Sequence, residues 1–214
     1  MPSYNGGQTF WIDPNLVQGA TSIYATALAL YFNSKPPPVE NSSGLTNPGV
    51  SVFIVPTDGN GVPKIQATSN YPTIYVPYEQ IDISSDASQF TEFRWTVPVQ
   101  IQTGRFYAFI MVFDQGAQFV LFKNKMGENL IGTTTPTPGA SGTNSGKFFD
   151  YIGSPNDTSP DPADWRPQND VDLKYSLYGA RFFVGGTSVR AANTGLIIYD
   201  YTAQGNGVTF SNGN

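Results

Sequence analysis

The chain contains neither cysteine nor histidine, and these two absences remove much of the usual catalytic repertoire. Without histidine the commonest general base and any Ser-His-Asp arrangement are missing. Without cysteine there is no thiolate nucleophile and no disulfide staple, and together the two absences take away the common zinc ligands. Charge is scarce as well: charged residues make up 13% of the chain, about half the roughly 25% of an ordinary soluble domain. What charge there is leans acidic, with 11 Lys and Arg against 16 Asp and Glu. Nucleic-acid binding draws on clustered cations that displace counterions from phosphates, and only Lys123 and Lys125 stand close together, so no nucleic-acid partner is expected. Long hydrophobic runs are also missing. The longest, Phe106 to Phe113, is eight residues, against about 20 for a membrane-spanning helix, so no membrane insertion is expected. The opening Met1-Pro-Ser-Tyr-Asn-Gly-Gly7 has neither a basic nor an apolar stretch, so synthesis in a cytoplasm is expected if Met1 is the natural start.

What the chain does have is rings. Aromatics reach 14%, with 15 Phe, 12 Tyr and 3 Trp, and large rings favour pleated surfaces where they stack across strands. Apolar periodicity is that of strands nearly throughout. In Thr91 to Val99, residues Thr91, Phe93, Trp95, Val97 and Val99 share one face, and Pro98 belongs at an edge or a strand end because it cannot donate to a ladder. Phe106 to Phe113 is apolar on both faces and suits a central strand. Phe119 to Phe122 follows a turn, and the three runs together suggest a meander. Gly49 to Val55 and Ile74 to Val76 are further strands, with Asp58-Gly-Asn-Gly61 as a turn. Ile23 to Phe32 is read as a strand despite its alanines, since Tyr24, Thr26, Leu28, Leu30 and Phe32 recur at period two and no capping box precedes them; Pro36-Pro-Pro38 ends it. Leu173, Tyr175 and Leu177 begin a late core strand that leads to Val184.

Such a pattern over 214 residues predicts one antiparallel β-sandwich, residues 1–184, with a C-terminal arm or added strand, residues 185–214. The arm's apolar run Leu196, Ile197, Ile198 and Tyr199 pairs either with another subunit or as a last strand of the same sandwich. Two stretches read as long loops, Gly132 to Gly146 and Gly153 to Asn169, and loops of that length commonly carry function. Within the second, Trp165 beside Arg166 is a candidate exposed platform for a sugar ring or an aromatic anchor for a protein partner. Trp95 falls on a core face and Trp11 in a first strand. Asp157, Asp161, Asp164, Asp170 and Asp172 offer oxygen ligands, but in no recognisable calcium spacing, and short acids in a Pro-rich loop more often cap turns. No cofactor or metal is expected. The remaining acids are scattered with no pair marked out for glycoside hydrolysis, so no enzymatic activity is expected. Asn41-Ser-Ser43 and Asn156-Asp-Thr158 fit the glycosylation pattern, which an Asn- and Ser-rich chain meets by chance.

The order of motifs carries a resemblance: Gln8-Thr-Phe10, Leu28 to Pro36, Pro48 to Val52, Ser85-Asp-Ala87 with Thr91-Glu-Phe93, Pro98-Val99, Thr103 to Ala108 and Asp172-Leu-Lys174. Over roughly residues 4–184 the chain resembles a β-sandwich module of tailed-bacteriophage virion proteins, of the baseplate and tail-fibre-associated type in contractile-tailed phages. The resemblance implies a jelly-roll-like sandwich akin to carbohydrate-binding modules, and brings no catalytic residues. The expected function is that of a virion structural protein, made in the host cytoplasm, with other phage proteins and copies of itself as partners. The alternative is a carbohydrate-binding module that recognises a host-surface glycan.

Overall fold

The computed structural model describes residues 3–15, 17, 19–39, 47–66, 69–114, 117–125, 128–129, 146–154, 160–183, 192–193, 196–204 and 207–210. The glycosylation patterns, Asp157, Gly185-Gly186 and all of the 132–146 loop except Gly146 lie outside them. The described residues form strands and no α-helix, with short 3-10 turns at Tyr78–Gln80 and Pro162–Asp164.

One sheet has six strands in the order β11 (Trp165–Gln168), β10 (Phe148–Tyr151), β1 (Ser3–Trp11), β7 (Phe106–Phe113), β4 (Val50–Pro56) and β5 (Ile74–Val76). The second runs β14 (Ala192–Asn193), β15 (Leu196–Gln204), β13 (Tyr175–Phe183), β2 (Ser22–Leu30) and β6 (Thr91–Gln102), with β16 (Gly207–Phe210) also on β15. Two small pairs complete the second layer: β3 (Phe32–Ser34) with β8 (Val120–Leu121), and β9 (Lys123–Lys125) with β12 (Val171–Leu173). The architecture is an all-β sandwich of antiparallel sheets, and β13 with β15 is the parallel pair.

β7 is the central strand that its two apolar faces predict, flanked by β1 and β4. Phe109, Met111 and Phe113 enter the core between the sheets with Phe93, Ile101 and Leu177, while Ala108, Ile110 and Val112 enter a second cluster on the sheet's outer side. That outer cluster is closed by Phe53, Ile65, Phe149 and Trp165, with Tyr71 stacked on Phe53 at 5.8 Å. β1 passes close beside it because it carries glycine: a Cβ on Gly7 would lie 2.7 Å from Ile110 Cδ1.

Three expectations are corrected. β6 and β7 do not form a meander, because they belong to different sheets. Gly104, at φ +70°, turns the chain between layers. Its N–H donates to the Ile12 carbonyl, and the Thr103 hydroxyl donates to the Ala20 carbonyl at 2.6 Å, so the crossing is tied to the parallel crossing from β1 to β2. Second, the faces of β2 are not one period-two series. A bulge between Ala25 and Ala27 flips the alternation, so that Ile23 and Ala25 face the core before it and Leu28 and Leu30 after it. Third, Val97 is 67% exposed. It sits with Pro98 in the stretch that the same register jump leaves opposite Thr26. Pro98 does lie in an edge strand, β6, as a missing N–H requires.

Candidate functional site

Sheet edges are where a β-sandwich meets partners, since an edge strand presents unpaired main-chain donors and acceptors. Here the edges are unequal. β5 is three residues long and sits between Pro72 and Pro77, β11 contains Pro167, and β6 contains Pro98 within its irregular stretch. Each proline removes a donor and blunts pairing. β13 is nine residues long and free of proline. One side pairs with β2; the other is covered by β15, in register from Leu177 opposite Leu196 to Phe183 opposite Thr202. The apolar run Leu196, Ile197, Ile198 and Tyr199 therefore lies on the chain's own sandwich as an added strand. β14 and β16 pair with its far side.

Trp165 is not an exposed platform. It opens β11, is 3% exposed, and meets Tyr151 with ring centroids 5.1 Å apart. The local cause is the turn before it. The Asp161 carboxylate accepts from Ala163 N at 2.9 Å, and the Asp164 carboxylate accepts from Asp161 N at 2.8 Å. This reciprocal cap turns the chain so that Trp165 enters the outer core. Within the 153–169 stretch, read as a loop, the described residues include the Pro162–Asp164 turn and the strand Trp165–Gln168, with 155–159 outside the described residues. Arg166 is exposed on β11, opposite Asp150. The structure does not bring Trp165 and Arg166 together with Leu196 to Tyr199, which lie in the other sheet. Asp170 lies 3.8 Å from Lys125, Asp172 bonds Gln8, and among the described residues no three acids converge on a cation site.

A cavity of about 690 Å³ opens where the second layer thins to the short β8, β9 and β12. Its floor is the inner face of the sheet that holds β10, β1 and β7, with Met111, Phe113 and Phe148; Phe119, Leu121 and Leu173 form the facing wall. Four polar residues are among those that line it: Asn5, Gln118, Lys123 and Asp150. Asn5 is the extra residue of a bulge where β1 slips against β7, and its Oδ1 accepts from Phe113 N at 2.7 Å. Asp150 follows Phe148 at period two and so shares its inward face, and its Oδ2 accepts from Gln168 Nε2 at 2.6 Å. The Lys123 ammonium rests 4.0 Å from the centre of the Phe148 ring. Beside the cavity, buried Gln8 donates to Asp172 Oδ1 at 2.9 Å and accepts from Leu173 N at 3.0 Å. Burial holds the Asp172 carboxyl above the ordinary carboxylate range, partly opposed by the bond from Gln8. Asp150 is the one carboxylate lining the cavity among the described residues, so the paired acids of a glycosidase are not assembled there. Sequence reasoning missed this site. The available signal was an acid two residues after Phe148 on an otherwise apolar strand.

No protein-family model, curated protein or solved structure matches the chain.

Proposed function

We propose that the chain is a structural protein of a tailed-bacteriophage virion, a baseplate, tail or other particle-surface component, joined to its neighbours through the β13 edge and the C-terminal strand. The observation that carries this reading is the inequality of the edges. Three are shortened or interrupted by proline, while β13, which without the C-terminal segment would be the long proline-free fourth edge, is covered by β15 from that segment. β15 lies parallel to β13, so the two are not joined as a hairpin. The same main-chain bonds form whether β15 docks on its own β13 or on that of a neighbouring copy, which is how strand addition locks subunits together. A surface poor in charge suits burial against other subunits. The alternation of the chain between layers, with β1 and β7 in one sheet and β2 and β6 in the other, supports the jelly-roll-like winding that the resemblance implies.

The test is deletion of residues 187–214, alongside Ile198→Pro, which removes one N–H from β15 and leaves the rest of the chain intact. Both variants are expected to keep the sandwich's circular dichroism and to lose incorporation into phage particles, with the intact protein located in an electron-microscopy map of the virion. Particles that incorporate both variants as well as the parent overturn the role of the strand, and absence of the protein from any particle overturns the virion reading.

A further inference from the structure

We propose that β9 and β12 form a flap over the cavity, latched to the opposite sheet by Gln8, and that the charge on Asp172 sets how readily the flap opens. This device does not rest on the assembly reading. Among the described residues β9 and β12 pair only with each other, Val171 opposite Lys125 and Leu173 opposite Lys123. At one end the ribbon is rooted in its own layer, where Phe122 N donates to the Tyr31 carbonyl at 3.0 Å and Lys174 N to the Phe122 carbonyl at 2.9 Å. Across the sandwich, among the described residues, its hydrogen-bonded tie is one side chain. Gln8 of β1 accepts from Leu173 N at 3.0 Å and donates to Asp172 Oδ1 at 2.9 Å. The remaining hold comes from the Leu173 side chain, buried in the core, and from Lys123 resting on the Phe148 ring. A short ribbon held this way opens at lower cost than the long strands of the core.

Asp172 lies under this latch, and its charge works against closure. Burial holds its carboxyl above the ordinary 3.8, and the bond from Gln8 offsets part of that rise. The cations of the surrounding strands are engaged elsewhere: Lys123 on the Phe148 ring, Lys125 at 3.8 Å from Asp170, and Lys174 on the Ala87 carbonyl. Asp150 on β10 accepts from Gln168, and Tyr175 on β13, whose phenol burial pushes well above its ordinary value, stays neutral. An open flap puts Asp172 in water, where it releases its proton near 3.8. The closed flap retains that proton to higher pH. Between the two values the closed form carries a proton that the open form lacks, so closure weakens as pH rises and levels off above the closed value. The opening equilibrium shifts by about tenfold for each pH unit that separates them. Phe113 and Phe148 beneath the ribbon are buried in the closed form, so their access to solvent depends on this opening.

The test is native-state hydrogen exchange by NMR on the full chain, at a series of low urea concentrations and from acid to neutral pH, corrected for the intrinsic exchange rate. The Leu173 amide, which bonds Gln8, is expected to exchange faster than the amides of β7 and with little dependence on urea, the mark of a local opening. Its rate is expected to rise severalfold from acid to neutral pH in the parent. In Asp172→Asn, which keeps an acceptor for Gln8 and carries no charge, the rate should stay level. Gln8→Ala should raise the rate at every pH; where that variant melts early, Asp172→Asn decides alone. The flap is overturned if Leu173 shares the rate and the urea dependence of β7. The role of the charge is overturned if the parent's profile is flat in pH or is left unchanged by Asp172→Asn.

Discussion

Replacing Trp165 by alanine separates a buried anchor from a surface platform, and the structure sets the size of the effect. The ring is 3% exposed and packs with Ile110, Val112 and Phe149 in the outer core, with Tyr151 at 5.1 Å. Truncating a buried aromatic of this kind costs about 3–5 kcal/mol, from lost transfer energy plus the cavity left behind. For a chain of this size each kcal/mol lowers the melting temperature by about 2–4 °C, so a fall of roughly 6–20 °C is expected. An exposed platform would instead leave stability within about 0.5 kcal/mol of the parent. The assay is urea unfolding followed by far-ultraviolet circular dichroism, which does not depend on the fluorescence removed with the indole. Trp165→Phe, which keeps a ring against Tyr151, should show a smaller loss. A Trp165→Ala midpoint within about 1 kcal/mol of the parent would refute the inward placement of β11.

Asp172→Asn tests the buried polar pair beside the cavity. Its carboxyl is held above the ordinary 3.8 mainly by burial, so as pH rises from 3.8 through the folded value the unfolded chain has already released the proton that the fold retains, and stability declines. Asparagine keeps an Oδ1 for Gln8 and carries no charge, so its urea midpoint should exceed the parent's at neutral pH and lose that decline; parallel profiles for the two proteins would sink the argument. Gly7→Ala places a Cβ 2.7 Å from Ile110 Cδ1 and 3.2 Å from the Phe109 carbonyl. The backbone partner cannot rotate away, so a loss of about 1–3 kcal/mol is expected in thermal unfolding, and an unchanged melting temperature would contradict the close approach of β1 to β7.

Much of the fold was legible because alternation is a local property. The strand through Leu177 follows from side chains two residues apart, Val50–Pro56 and Phe106–Phe113 from short apolar runs bounded by turns, and Pro98 at an edge from a missing donor. Bulges were not legible. One extra residue, Thr26, against β13 reverses the faces of β2, and another, Asn5, bulges from β1 beside the cavity, with no change of composition to announce either. The candidate site was therefore only partly visible. Leu196 to Tyr199 were legible as a strand that pairs either with another subunit or within the same sandwich, and the structure lays them on β13; that β9 and β10 bring Lys123 and Asp150 to one opening was not legible, since nothing local joins residues so far apart in the chain.

The sequence by itself determined the chemistry withheld from this protein, with no imidazole and no thiol, and it determined the strand-forming class through its rings and period-two runs. Only the tertiary structure decided which strand lies beside which. β6 and β7, adjacent in the chain, end in opposite layers because Thr103 and Gly104 bond to Ala20 and Ile12. Trp165 turned inward because an outer core built from β4, β7 and β10 was there to receive it. Periodicity specifies a face for each strand. The neighbour that covers that face is chosen by hydrogen bonds and packing between residues far apart in the chain, and these are what opened a cavity at one end of the sandwich and left one long edge for the C-terminal strand.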